Sequence, residues 1–237
     1  MTLIEQPQFN TTIKIVHSDS RNGEFLITPL EKNIGSTLGN TIRRLLLGII
    51  PGFAITSVYI KNIRHEFSPF PGMKEDIIDF LSSLQSLLIS MDHYGPSTIS
   101  IRKKGPGIIT GQDVICPKGV RIINPSQYLC TINEVSDLHV DLVIESGIGY
   151  LPATYELNSN SKTNEIKLDA IFSPITHVCY RLKHFTFYEE LLFHVQTDGT
   201  VSPQRAFEYS MQFLLSKFNS IENRVKKNSR IESTRKL

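Results

Sequence analysis

Residues 35–47, closed by Pro51-Gly52, constrain the fold more than any other part of this chain. Leu38, Ile42, Leu45, Leu46 and Ile49 recur at helical spacing, which puts them on one face of a helix. Ser36 is placed to cap its start, and Pro51-Gly52 to stop its end. The opposite face carries Asn40, Arg43, Arg44 and Leu47. A plain surface helix has little use for a leucine beside two arginines. The pattern predicts a helix buried on one side and docked to a partner on the other.

A helix near the other end makes a related demand. Ser202-Pro203 reads as a cap followed by proline at the first helical position. Phe207, Met211, Leu214, Leu215, Phe218 and Ile221 form its main apolar stripe, while Ala206, Tyr209 and Phe213 form a second apolar sector. A helix apolar on two sides is buried on two sides. The second side meets either another subunit or the chain's own core. In a subunit contact, fully burying Phe213 favours association by roughly 1.5–3 kcal/mol before ordering costs.

Between these ends, residues 75–91 predict a helix with Ile77, Phe80, Leu81, Leu84 and Leu88 on its core stripe. Strands are expected at 13–15, 24–27, 54–60, 98–103, 120–123, 138–145, 166–170, 178–185 and 191–195. Gly105-Pro106-Gly107 and Asn158-Ser159-Asn160-Ser161 read as loops. The 237 residues are 40% hydrophobic, enough for a packed core, and the net charge of +2 does not argue for nucleic acid. The basic residues Arg224, Lys226, Lys227, Arg230, Arg235 and Lys236 do cluster at the end, either as a solvated tail or as an electrostatic contact.

Most chemistry is argued against. Cys116, Cys130 and Cys179 form no disulfide framework or CxxC site, which suits a reducing compartment. No secretory signal or transit peptide is evident at the N-terminus, and no apolar run approaches the roughly 20 residues of a membrane span. His177, Cys179 and His184 match no zinc spacing, and His65-Glu66-Phe67-Ser68 lacks the second histidine of a metalloprotease helix. Gly147-Ile148-Gly149 opens no helix, so it is not a dinucleotide fingerprint. No catalytic residue, metal or cofactor is expected.

The ordered motifs Phe25-Leu26-Ile27-Thr28-Pro29-Leu30, Thr37-Leu38-Gly39-Asn40-Thr41-Ile42-Arg43-Arg44 and Pro51-Gly52 point further. His65-Glu66-Phe67-Ser68, Gly72-Met73-Lys74-Glu75-Asp76, Gly149-Tyr150 and Pro152-Ala153 continue the series, which closes with Asp169-Ala170-Ile171-Phe172-Ser173-Pro174, Thr197-Asp198-Gly199-Thr200 and Ser202-Pro203. Together they resemble the N-terminal domain of the alpha subunit of bacterial-type, DNA-directed RNA polymerase. The resemblance implies a two-domain α+β architecture. Residues 1–50 and 177–225 would form a dimerisation domain of a mixed sheet plus two helices, and 51–176 an inserted, mostly β domain. Residues 226–237 would be a basic flexible tail, with no C-terminal DNA-binding domain following.

The resemblance also implies a non-catalytic assembly subunit: a homodimer that serves as the platform for the beta and beta-prime subunits in transcription. Carried over by position, Arg43, Arg44, Leu47, His65, Glu66, Ser68, Phe172, Ser173 and Pro174 would meet the large subunits. Leu38, Ile42, Leu46, Ala206, Tyr209 and Phe213 would serve dimerisation. Two alternatives stay open: an intrachain ion pair for one of the arginines, and local bracing for His65, Glu66 and Ser68. Contact with DNA would be weak or indirect, and with membrane none.

Three departures from the family stand out. Gln85 replaces a usual lysine in a beta-prime contact, Ile148 replaces a usual arginine, and the chain stops at Leu237 where bacterial relatives continue through a linker into a DNA-binding domain. Gly105-Pro106-Gly107 with Thr110-Gly111-Gln112-Asp113-Val114 resembles plastid-encoded versions, and the leaning toward Ile, Asn, Lys and Ser fits an AT-rich genome. A plastid stroma is the expected location, with the bacterial cytoplasm as the alternative.

Overall fold

The computed structural model of the chain describes residues 9–133, 137–153 and 164–234. The expected loop at Asn158-Ser159-Asn160-Ser161 lies outside them, as do the side chains of the basic residues from Lys227 onward. The chain divides into two compact units. Unit 1 takes residues 1–50, 175–197 and 202–237, and unit 2 takes 51–174 and 198–201.

Along the chain, unit 1 opens with strands β1 (Thr12–Ser18) and β2 (Asn22–Leu30) and helix α1 (Gly35–Ile49). Unit 2 follows with β3 (Pro51–Ile60), α2 (Ile77–Gln85), β4 (Ile89–Met91), β5 (Ser97–Lys104), β6 (Gly107–Thr110), β7 (Val114–Ile115), β8 (Val120–Ile122), β9 (Tyr128–Ile132), β10 (Asp137–Ile148), β11 (Tyr150–Leu151), β12 (Glu165–Lys167) and β13 (Ala170–Ile171). The chain returns to unit 1 with β14 (Ile175–His184), β15 (Glu189–Thr197) and α3 (Pro203–Thr234).

In unit 1 the four strands run β1-β2-β15-β14. Every pairing is antiparallel, so the sheet expected to be mixed is not. Alternation along β2 and β15 turns Phe25, Ile27, Leu191, Phe193 and Val195 to one face, all buried. Helix α1 covers β14 and β15 on that face, and α3 covers β15 and β2. Phe207 of α3 ties the layers together. Its ring stacks on Phe25 at 4.5 Å and meets Phe193 edge-on at 5.6 Å.

Helix α1 is seated differently from its hydrophobic pattern. Its buried residues are Gly35, Gly39, Ile42 and Leu46, while Leu38, Leu45 and Ile49 are half-buried on the flanks. The two glycines explain the rotation. A Cβ on Gly39 would lie 2.6 Å from the Tyr180 ring, and one on Gly35 only 2.3 Å from the Leu182 side chain. Lacking Cβ atoms, this edge lets the helix backbone settle onto β14. Ser36 does not cap the helix. Its start is held by the buried carboxylate of Glu189, which accepts the backbone N–H of Gly35 at 3.0 Å and of Asn33 at 3.1 Å.

Unit 2 is built on an antiparallel sheet ordered β12-β3-β10-β5-β7. Leu138, Val140, Leu142 and Ile144 of β10 pack inward with Val58, Ile60, Ile99 and Ile101, and α2 adds Ile77, Phe80, Leu81 and Leu84 to the same core. Helix α2 stops at Gln85 rather than reaching residue 91. Asn124 fixes that end: its Nδ2 donates to the Ser86 carbonyl at 2.9 Å, and its Oδ1 accepts the Leu88 N–H at 2.8 Å. Ile89 to Met91 then pair with β8.

Helix α3 is 32 residues long, about 48 Å at 1.5 Å per residue. Only its first turns are seated, through the buried Pro203, Ala206, Phe207 and Ser210. The helix continues to Thr234, through most of the segment expected to be a flexible tail.

Candidate partner-binding surfaces

In unit 1, the outer face of α1 presents Asn40, Arg43, Arg44 and Leu47, all exposed. The two arginines differ. Arg43 donates its Nε–H to the Val178 carbonyl at 3.2 Å, a bond to the chain's own sheet and not the ion pair held open from sequence. Arg44 makes no hydrogen bond or ion pair among the described residues. Its guanidinium, one turn from an exposed leucine, offers a planar donor fork beside an apolar anchor. That pairing suits a carboxylate or backbone carbonyls on another chain.

The residues singled out for dimerisation separate into two groups. Ile42, Leu46 and Ala206 are buried in unit 1's own core, so their side chains are not available to a second chain. Leu38 and Phe213 are half-buried and Tyr209 is exposed. Lys217 lies over the Phe213 ring, 5.0 Å from its centroid. Further along α3, Leu215, Phe218, Ile221 and Val225 are each about six-tenths exposed, a longer bare stripe than the second sector read from sequence.

In unit 2, the loop at 65–68 is a braced turn. Ser68 N–H donates to the His65 carbonyl at 3.0 Å, and the Ser68 hydroxyl lies 3.2 Å from His65 Nδ1. Glu66 is exposed beside them, and so is Phe67, which the sequence reading passed over.

The segment at 172–174 needs correction. Phe172 and Pro174 are buried, and only Ser173 is partly open. The Phe172 ring fills the space over Gly147, where a Cβ would come within 2.5 Å of it. The exposed apolar residues here are Ile171, its cross-strand partner Tyr150, and Ile148. A cleft of about 260 Å³ is lined by Ala54, Ile55, Gln85, Tyr150, Asp169 and Ile171. Gln85 donates to the Asp169 carbonyl at 2.9 Å, and Asp169 Oδ1 accepts the Ala153 N–H at 2.8 Å. The hydrogen bond between Tyr150 and the Asp169 carboxylate raises the phenol pKa.

Arg102, Lys103, Lys104 and Arg121 of unit 2 each face an aspartate, so they do not form a bare basic patch for nucleic acid. Among the described residues, no group of three His, Cys, Asp or Glu side chains is placed to hold a metal, and no helix is long and apolar enough to cross a membrane. Residues 58–173 match the family model described as the RNA polymerase Rpb3/RpoA insert domain.

Proposed function

This chain is an RNA polymerase subunit of the Rpb3/RpoA family, and from that premise we propose that it is the alpha-type assembly subunit, a homodimer on which the beta and beta-prime subunits gather. In this reading the chain supplies no catalytic group. Nucleotidyl transfer belongs to the large subunits. The observation that carries the proposal is the outer face of α1, where Arg44 has no hydrogen-bond or ion-pair partner among the described residues and Leu47 stands exposed one turn away. The bare stripe along α3 supports the dimer, because a helix this apolar needs cover that unit 1 does not provide. The exposed Glu66 and Phe67, with Ile171 and Ser173, are the unit 2 positions offered to the large subunits.

The test is co-expression with the beta subunit. Arg44→Ala should still dimerise by light scattering and fail to retain beta in a pull-down. Full retention of beta would remove the assignment. We further place the chain in a plastid, on the resemblance of residues 105–114 and the amino-acid leaning noted above. Large-subunit polymerase genes on the same plastid DNA would agree, and a bacterial chromosome around this gene would overturn it.

A further inference from the structure

The sheet of unit 1 has an open edge beside the outer face of α1. Thr197 N–H donates to the Arg21 carbonyl at 2.8 Å, on the β2 side of β15. Backbone bonding groups alternate sides along a strand, so those of Leu192, His194 and Gln196 turn toward β14. Their register partners Arg181, Cys179 and His177 meet them. The N–H and C=O groups of Val178, Tyr180 and Leu182 are left on the free side of β14. Arg43 reaches the Val178 carbonyl from that side. Among the described residues, no other hydrogen bond engages these edge groups. Helix α1 runs alongside, with Gly35 against Leu182, Gly39 against Tyr180 and Arg43 at Val178. At about 100° per residue, Ser36, Asn40, Arg43 and Leu47 fall within about 60° of one another, on the flank that borders the edge, and all four are exposed.

We infer that an extended segment of the beta subunit adds to this edge as a fifth strand, bonded to the backbone of Tyr180 and Leu182. The inference rests on the assembly reading above and adds how the partner is held. A bare strand edge is a template for another chain, and main-chain bonds give such an addition its affinity. Continuity favours this occupant, because Arg43 and Leu47 belong both to the outer face of α1 and to the flank along the edge. Charge sets its sequence. Strand β14 contains no acid, and its outward side chains include Arg181 and Lys183, which make no ion pair among the described residues. Glu190, opposite Lys183, accepts the Thr28 hydroxyl at 3.3 Å instead. Residues directly opposed across an antiparallel pair share a face, so the added segment carries acids opposite Arg181 and Lys183. Its alternate residues lie on the side of Tyr180 and Leu182 and are apolar.

The test uses the full chain, alone and co-expressed with the beta subunit, and reads amide hydrogen exchange residue by residue. The amides of Tyr180 and Leu182 should exchange freely in the chain alone and at least tenfold more slowly with beta bound. Those of Cys179 and Arg181 should be slow in both. Separately, the double variant Arg181→Glu with Lys183→Glu should weaken retention of beta at least tenfold, while circular dichroism shows the fold unchanged. A complex in which Tyr180 and Leu182 exchange as fast as in the chain alone overturns the added strand and leaves the assembly reading standing. Slow exchange at both positions without beta does the same, since a second copy or α1 itself would then cover the edge. Full retention of beta by the double variant overturns the acidic pattern. A natural chain that retains no beta overturns the assembly reading and this inference together.

Discussion

The carboxylate of Glu189 lies 3.0 Å from the backbone N–H of Gly35, so a strand late in the chain caps the first helix. The contact joins β15 to the start of α1 at a buried point, with His184 Nδ1 2.9 Å away on the other side. It anchors the helix whose outer face carries Arg44.

Burial pushes the Glu189 carboxyl upward, but the N–H groups of Asn33 and Gly35, together with His184, outweigh it and hold the pKa below the ordinary glutamate value. A depressed folded-state pKa gives stability that is fully present above the unfolded value of about 4.3 and is lost as pH falls through the lower folded value. Glu189→Gln should cost about 1–3 kcal/mol at pH 7. The gap to the natural chain should shrink below pH 4 in urea unfolding curves.

Two glycines of α1 should respond in opposite directions to alanine. At Gly39 the new methyl meets the Tyr180 ring at 2.6 Å, so overpacking of about 1–3 kcal/mol outweighs the gain in helix propensity. At Gly48 nothing lies within 4 Å, and alanine should stabilise by about 0.5–1 kcal/mol. Thermal unfolding of the two single variants separates them by sign.

The two arginines of α1 should also part company. Arg43→Ala removes the bond to Val178 and should lower stability by about 0.5–1.5 kcal/mol. Arg44→Ala removes no hydrogen bond or ion pair among the described residues and should stay within about 0.5 kcal/mol of the natural protein. Denaturant midpoints of both variants give the comparison.

Thiol labelling should be graded. Cys130 is fully buried, and burial together with the nearby Glu75 and Asp113 pushes its pKa up to about 12. Cys116 and Cys179 are half-buried. A thiol reagent at pH 8 should modify those two in the folded chain and reach Cys130 only after unfolding. Mass spectrometry of briefly treated protein reads the order.

The helices and the long strands were legible because their apolar spacing survives in the chain. What sets their exact seats was not. Leu38, Leu45 and Ile49 carry the hydrophobic signal of α1, yet Gly35 and Gly39 sit deeper, because the deciding contacts are with Tyr180 and Leu182 in a strand far along the sequence. The end of α2 depends on Asn124, equally remote. Strand β6 starts inside Gly105-Pro106-Gly107, where turn residues mask it. At 170–174 the signal was present. Ala170, Phe172 and Pro174 alternate with Ile171 and Ser173, and period-2 reasoning would have put the first three inside. On α3 the stripe is plain in the sequence, but the point where the sheet stops beneath it is a property of the fold.

Unit 1 is assembled from both ends of the chain, while the bulk of unit 2 is one continuous run from Pro51 to Pro174. During synthesis the ribosome releases β1, β2 and α1 long before the strands and helix that cover them. Gly35 then waits without Glu189, and Phe25 without Phe207. The inserted unit has its core residues in hand first. Unit 1 closes last, so a nascent product truncated before residue 189 lacks both the strand that caps α1 and the helix that covers Phe25.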